Sequence, residues 1–226
     1  MNEASPNVPQ LVPVFPLPEV VLFPGQVLPL HIFEPRYRAM VADALSGGRM
    51  IAVALLKPDY EPHYFSSYAP IHTMVGVGRI IASEKLDGDK YNILLRGETR
   101  ATIIEEFQKR PYRLARISIV QPRCDVPIEV RRQLRRELFD AIGQHLATEA
   151  ECGEQYLQLF EAPLSLGELA DLIAGGLPVA AELRQYLLAE SESSARARFL
   201  LEQLHTLGSV TFHARRVEQH AEWQRN

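Results

Sequence analysis

In the first half of the chain the apolar positions come in short runs rich in valine, isoleucine and leucine, separated by glycine, proline and acidic residues. That pattern predicts strands over 11–15, 27–32, 50–56, 74–83, 91–96, 101–106 and 113–121. Asp87-Gly88-Asp89 falls between the fourth and fifth of these, where a glycine tolerates the positive φ of a tight connection, so those two strands should pair antiparallel. One helix interrupts the series. Pro35 suits a first helical position, Tyr37, Met40, Val41 and Ala44 recur at helical spacing, and Gly47-Gly48 supplies a stop.

From Ile128 onward the period becomes helical. Leu134, Leu138, Ile142 and Leu146 line one face with Phe139 beside them, while Arg131, Arg132, Arg135 and Arg136 take the opposite, solvated side. Ser165 with Glu168 forms a capping box and Leu164 with Leu169 a hydrophobic staple, two start signals at one place; Gly175-Gly176 and Pro178 then end that helix. A further helix is expected over 179–189. After 191–194 a long one carries Leu200, Leu204, Leu207, Thr211, Ala214 and Ala221.

Strands followed by a run of helices, without alternation, indicate an α+β chain. The expected organisation is a flexible amino terminus over 1–10, a β-rich domain over 11–122 and a helical bundle over 123–226, with the boundary in the proline-bearing stretch 122–127.

Composition narrows the function classes. The formal net charge of −4 disfavours nucleic acid as a partner, since the field of the whole chain repels phosphate. The arginines at 131–136 are balanced by Glu129 and Glu137 and alternate with leucines, as a solvated helix face does. Cys124 and Cys152 have no CxxC or CxxH companion, so neither a zinc site nor a disulfide framework is expected. The first ten residues lack the charge and apolar stretch of a signal peptide, and the uncharged stretch 20–33 is broken by Pro24, Gly25 and Pro29. A cytoplasmic protein without membrane association is the expectation.

Signatures of catalysis are missing: no phosphate-cradling GxxxxGK[ST], no GxGxxG, no GxSxG elbow and no HExxH occurs. The seven histidines are scattered without metal-ligand spacing, and Glu105-Glu106 on a strand would point to opposite faces. No catalytic residue, cofactor or metal is expected.

The segment from Val14 to Arg38, with its Pro16-Leu17, Phe23-Pro24-Gly25 and Pro29-Leu30 steps before a helix, resembles the opening of the Lon amino-terminal domain family. Stretches 75–80, 93–101 and 111–117 keep the family's order, and 168–178, 183–188 and 196–204 are similar to its helical part. Physics accounts for several of these residues as scaffold: Pro16, Pro18 and Pro24 fix an extended entry, Gly25 permits a tight turn, and Gly76, Gly78 and Gly97 suit bulges. The resemblance implies a PUA-like, strongly bent β pseudo-barrel carrying one helix, followed by a helical bundle. It also implies a role in recognising unfolded or tagged proteins and peptides, with a full-length Lon protease as a further partner. Neither the ATPase nor the peptidase of Lon is present, so the expectation is a stand-alone, non-enzymatic substrate-binding module. The cereblon group shares the domain but adds a four-cysteine zinc module that two cysteines cannot supply.

A binder of unfolded chains needs exposed apolar surface or an open strand edge. The loop 57–70 concentrates aromatic residues, of which Tyr60, Tyr64, Phe65 and Tyr68 are the candidate contacts; the competing reading makes them a lid over the core. Glu34 and Arg36 complete the candidate site, because their place at the start of the first helix resembles a charged patch tied to substrate contact in Lon. The competing reading is helix-end electrostatics. RNA binding, known for PUA-like barrels, and small-molecule binding are the alternatives.

Overall fold

The computed structural model describes residues 10–64, 69–146 and 164–207. They fall into two compact units, one within Met1–Gln121 and Ala180–Ser191, the other within Pro122–Val179 and Glu192–Asn226.

The first unit is built on β1 (Leu11–Leu17), β2 (Val27–Ile32), α1 (Pro35–Ser46), β3 (Met50–Leu55), β4 (Met74–Leu86), β5 (Lys90–Phe107) and β6 (Arg113–Val120). They form a six-stranded sheet in the order β2-β5-β4-β3-β1-β6. Strand β6 also pairs with β5, so the ladder returns on itself and leaves β2 hanging outside the ring. β1 and β3 run parallel, which the intervening β2 and α1 make possible as a crossover; the remaining pairs are antiparallel.

Every residue of β3 is buried, which explains its unbroken apolar run. Met50, Ala52 and Ala54 enter one core with Val12, Val14, Val75, Val77 and Ile117, while Ile51 and Val53 enter a second. That second core packs Phe15, Leu22, Leu28 and Ile32 against Tyr37, Met40, Val41 and Ala44 of α1. The helix begins as its sequence dictates, with Glu34 at the N-cap and Pro35 in the first turn, and closes at Gly47.

One element is longer than its sequence pattern predicts. Strands expected over 91–96 and 101–106 are a single strand, because Gly97, Thr99 and Arg100 stay paired with β4. Gly97 also receives the bulge in which Gly25, at φ +81°, and Gln26 together face it: Gly25 N–H donates to the Gly97 carbonyl at 2.9 Å, and Gly97 N–H to the Gln26 carbonyl at 2.8 Å. The connection at Asp87-Gly88-Asp89 has its glycine at φ +72°, and Leu86 pairs with Lys90 across it. Glu105 and Glu106 are exposed, as a solvated strand end should be, and each meets an arginine of β6, Arg116 and Arg113 respectively.

Two buried tyrosines tie α1 to its surroundings. Burial pushes the Tyr37 hydroxyl up to about 12; burial, reinforced by donation from Tyr112 Oη to Asp43 Oδ2 at 2.5 Å, does the same for Tyr112. Both groups hold their proton more tightly folded than unfolded. Their stabilisation is therefore fully present below pH about 10 and disappears as pH rises toward 12. Denaturant midpoints measured across that window are expected to fall steeply for the unaltered chain and less steeply for Tyr112→Phe, which has no proton to lose.

In the second unit the described helices are α2 (Ile128–Leu146), α3 (Leu166–Gly176) and α5 (Ser193–Leu207). Leu134, Leu138 and Ile142 of α2 are buried, as are Leu200 and Leu204 of α5. Ser165 accepts from the Glu168 N–H at 3.2 Å while the Glu168 carboxylate accepts from the Ser165 N–H at 2.7 Å, so the capping box is complete. Arg131 departs from the solvated face expected of it, folding back to donate to the carbonyls of Val126 and Cys124. The helix expected over 179–189 is α4 (Ala181–Ala189), and it groups with the strands: Gln185 donates to the Met74 carbonyl and Arg184 to that of Glu19.

Thr211, Ala214, Ala221, Cys152 and the amino terminus up to residue 9 lie outside the described residues. Among the described residues no helix is long and apolar enough to cross a membrane, and no group of His, Cys, Asp and Glu could hold a metal ion.

Candidate functional site

Where β2 ends and α1 begins, the chain turns through Phe33 and Glu34. Pro35 holds the first helical turn, which leaves Arg36 to project from the start of the helix. Its guanidinium is held from several sides. Arg36 Nε donates to Glu34 Oε2 at 3.0 Å, and Arg36 Nη2 donates to the Tyr64 carbonyl at 3.0 Å. The same guanidinium lies 4.4 Å from the Tyr37 ring centre and 5.7 Å from that of Tyr64. Glu34 in turn accepts from the Tyr64 hydroxyl at 3.4 Å, and the Tyr60 and Tyr64 rings lie 5.8 Å apart at a tilt.

Glu34, Arg36, Tyr60 and Tyr64 are thereby one cluster, assembled from two segments that stand 28 residues apart between Arg36 and Tyr64. All four are half-buried. Burial first, and then the Glu34 carboxylate, push the Tyr64 hydroxyl above its ordinary range, so it remains a protonated donor at neutral pH. The other two candidate residues, Phe65 and Tyr68, lie outside the described residues.

Tyr60 and Tyr64 also pack on the first of the two cores, which is the lid role that competed with binding. The two roles are compatible here, because each ring keeps part of its surface in solvent. A charge pair whose partners are already in place offers a preorganised surface, and preorganisation lowers the cost of ordering on binding.

Phe33 is not among the residues that the sequence pattern singles out. It is 59% exposed and stands next to Glu34, with the His31 ring 6.1 Å away and roughly parallel to it. The signal was present: Leu28 and Ile32 point into the core, so strand alternation turns His31, and Phe33 beyond it, outward. The strand expected over 27–32 stops one residue short of Phe33, which otherwise figures only as the end of the uncharged stretch 20–33.

A family model described as the substrate-binding domain of ATP-dependent protease La (LON) matches residues 11–206. Lon protease 2 of Myxococcus xanthus is 30% identical over 206 residues, which is 88% of this chain and 24% of that protein. The Lon protease of Anaeromyxobacter dehalogenans is 31% identical over 88% of this chain and 23% of its own length. The chain thus spans about a quarter of the length of these relatives. Among solved structures, the N-terminal domain of Mycobacterium avium complex Lon protease superposes with a TM-score of 0.69 at 19% identity, over 86% of this chain and 98% of that one. The Lon N-terminal domain protein from Xanthomonas campestris does so at 0.57 and 21% identity, over 88% and 98%. These two likenesses establish an α+β fold of the Lon N-terminal type.

Proposed function

The chain belongs to the LON substrate-binding domain family, and on that footing we propose that it is a non-enzymatic module that engages unfolded or tagged proteins and peptides in the cytoplasm. A full-length Lon protease is the proposed downstream partner. The closed ladder of β1, β3, β4, β5 and β6 supports reading the strands as a PUA-like bent pseudo-barrel, and α2, α3 and α5 as a helical bundle. On this reading the β-rich domain occupies 11–122 and takes in α4, and the helical part is the rest of 123–226.

The observation that carries the proposal is the cluster at the start of α1. Glu34, Arg36, Tyr60 and Tyr64 present a fixed charge pair flanked by aromatic rings, beside the exposed Phe33. Aromatic side chains supply contact area at low entropic cost, and an arginine held in a fixed orientation reads carboxylates and main-chain carbonyls alike.

The test is a fluorescence-anisotropy titration with labelled casein, a chain without stable structure. The unaltered protein is expected to bind saturably. Arg36→Ala, which frees the Tyr64 loop as well as deleting the charge, is expected to weaken binding about tenfold or more, as loss of a central arginine contact commonly does. Absence of saturable binding by the unaltered chain would remove the proposal.

A further inference from the structure

Strand β2 pairs only with β5, so among the described residues its other side is an open edge. The direction of its main-chain groups follows from the pairing. Gly97 N–H bonds the Gln26 carbonyl, which makes that position a hydrogen-bonded one. Alternation in an antiparallel ladder then puts Leu28, Leu30 and Ile32 in hydrogen-bonded positions opposite Leu95, Ile93 and Tyr91. The N–H and C=O groups of Val27 and His31, and the C=O of Pro29, face away from β5. Two observations agree with this phase. Pro29, which has no N–H, loses no ladder bond, and His31 and Asn92, opposite each other in a non-hydrogen-bonded pair where side chains come closest, meet through Nδ1 and Oδ1 at 2.7 Å.

From this pattern we propose that the outer edge of β2 is a docking track for an extended peptide segment with apolar residues at alternate positions, which adds to the sheet as a further strand. The inference rests on the substrate-binding reading above and specifies how the bound chain lies. Val27 and His31 supply outward donors; Val27, Pro29 and His31 supply outward acceptors. A segment of about five residues satisfies all of them, with a single carbonyl left unmet opposite Pro29. The alternation is set by the row Leu28, Leu30 and Ile32, which lies on the α1 side of the sheet. Leu30 is only partly buried at the rim of the second core, so an apolar side chain opposite it extends that core across the edge. The residues between face the side of Pro29 and His31, both exposed. The track ends at Ile32, and the next residues of the chain are the exposed Phe33 and then Glu34, which is paired with Arg36.

The probe is a fluorescein-labelled peptide of about ten residues that alternates valine and threonine between lysine caps, titrated against the full chain. His31→Pro deletes an outward N–H and no ladder bond, and is expected to weaken binding about fivefold, whereas His31→Val, which keeps the N–H, is expected to leave it within about twofold. Pro29→Val adds the missing donor and is expected to tighten binding about threefold, which keeps the proposal testable should His31→Pro fail to fold. In an amide-resolved NMR titration the Val27 and His31 signals shift first. Equal losses in His31→Pro and His31→Val, or no gain in Pro29→Val, overturn the edge while leaving the substrate-binding reading intact. No binding by the unaltered chain overturns both. A dimer in sedimentation that the probe does not dissociate and that His31→Pro abolishes assigns the edge to a second copy, and also overturns the proposal.

Discussion

Gly76→Ala is expected to cost about 3–6 kcal/mol, enough to unfold much of the protein under mild conditions. A Cβ at this position would stand 1.9 Å from the Leu22 carbonyl oxygen and 2.8 Å from its carbon. These are backbone atoms, so no rotamer change relieves the overlap; the segment that carries Leu22 and Phe23 must lift from β4 and β5. Both side chains have no solvent exposure, and each is worth about 1.5–3 kcal/mol when fully buried. Gly97 presses on the same segment from β5, where a Cβ would lie 2.0 Å from the Phe23 carbonyl oxygen, so Gly97→Ala should behave alike. Gly143→Ala is the contrast. Nothing lies within 4 Å of its Cβ site in α2, and a gain of up to about 1 kcal/mol is expected from helix propensity. Urea denaturation separates the three; a Gly76→Ala chain within 1 kcal/mol of the parent shows that the 20–24 segment is not seated as described.

The glycines also show where sequence reasoning stops. Gly76, Gly78 and Gly97 read as bulge positions, and the register shift between Val77 and Gly78 agrees. What no local pattern reveals is that Gly76 and Gly97 are bare because another stretch of main chain lies on them. The same division runs through the fold. Signals confined to a few neighbouring residues, such as Pro35 at the start of α1 or Ser165 with Glu168, predict their elements correctly. Long-range facts do not: the parallel pairing of β1 with β3, the continuity of β5 through Gly97, and the allegiance of α4 to the strands.

The candidate site divides in the same way. Glu34 and Arg36 stood out by resemblance, and Tyr60 and Tyr64 by aromatic density, as unrelated features of two segments. Their union through the Arg36–Tyr64 contact is a property of the folded chain alone. His31 and Phe33 were within reach of alternation, since the buried Leu28 and Ile32 fix the phase of β2. The open edge was not, because strand order cannot be read from a single strand.

Asp171→Ala is expected to cost about 3–5 kcal/mol, through the charge it strands. Asp171 is the acidic residue in the buried row of α3 formed by Leu166, Leu169, Ala170, Ile173 and Ala174. Its Oδ1 lies 3.2 Å from Nε of Arg196 on α5, with side-chain exposures of 7% and 0%. Arg196 Nη2 also reaches Ser193 Oγ at 3.4 Å and the Gly167 carbonyl at 3.5 Å, neutral acceptors that cannot replace the carboxylate. Removing the acid leaves a guanidinium away from water, whereas removing both charges does not. Against the single variants Asp171→Leu and Arg196→Met, the double variant carrying both is accordingly expected to regain most of the loss, and that double-mutant cycle should return a coupling of about 1 kcal/mol or more, the scale seen for contacting pairs. Additive losses in the cycle would mean that the two side chains do not act on each other. The pair would then be incidental to the α3–α5 packing, and Leu169, Ile173, Leu200 and Leu204 would have to hold those helices alone.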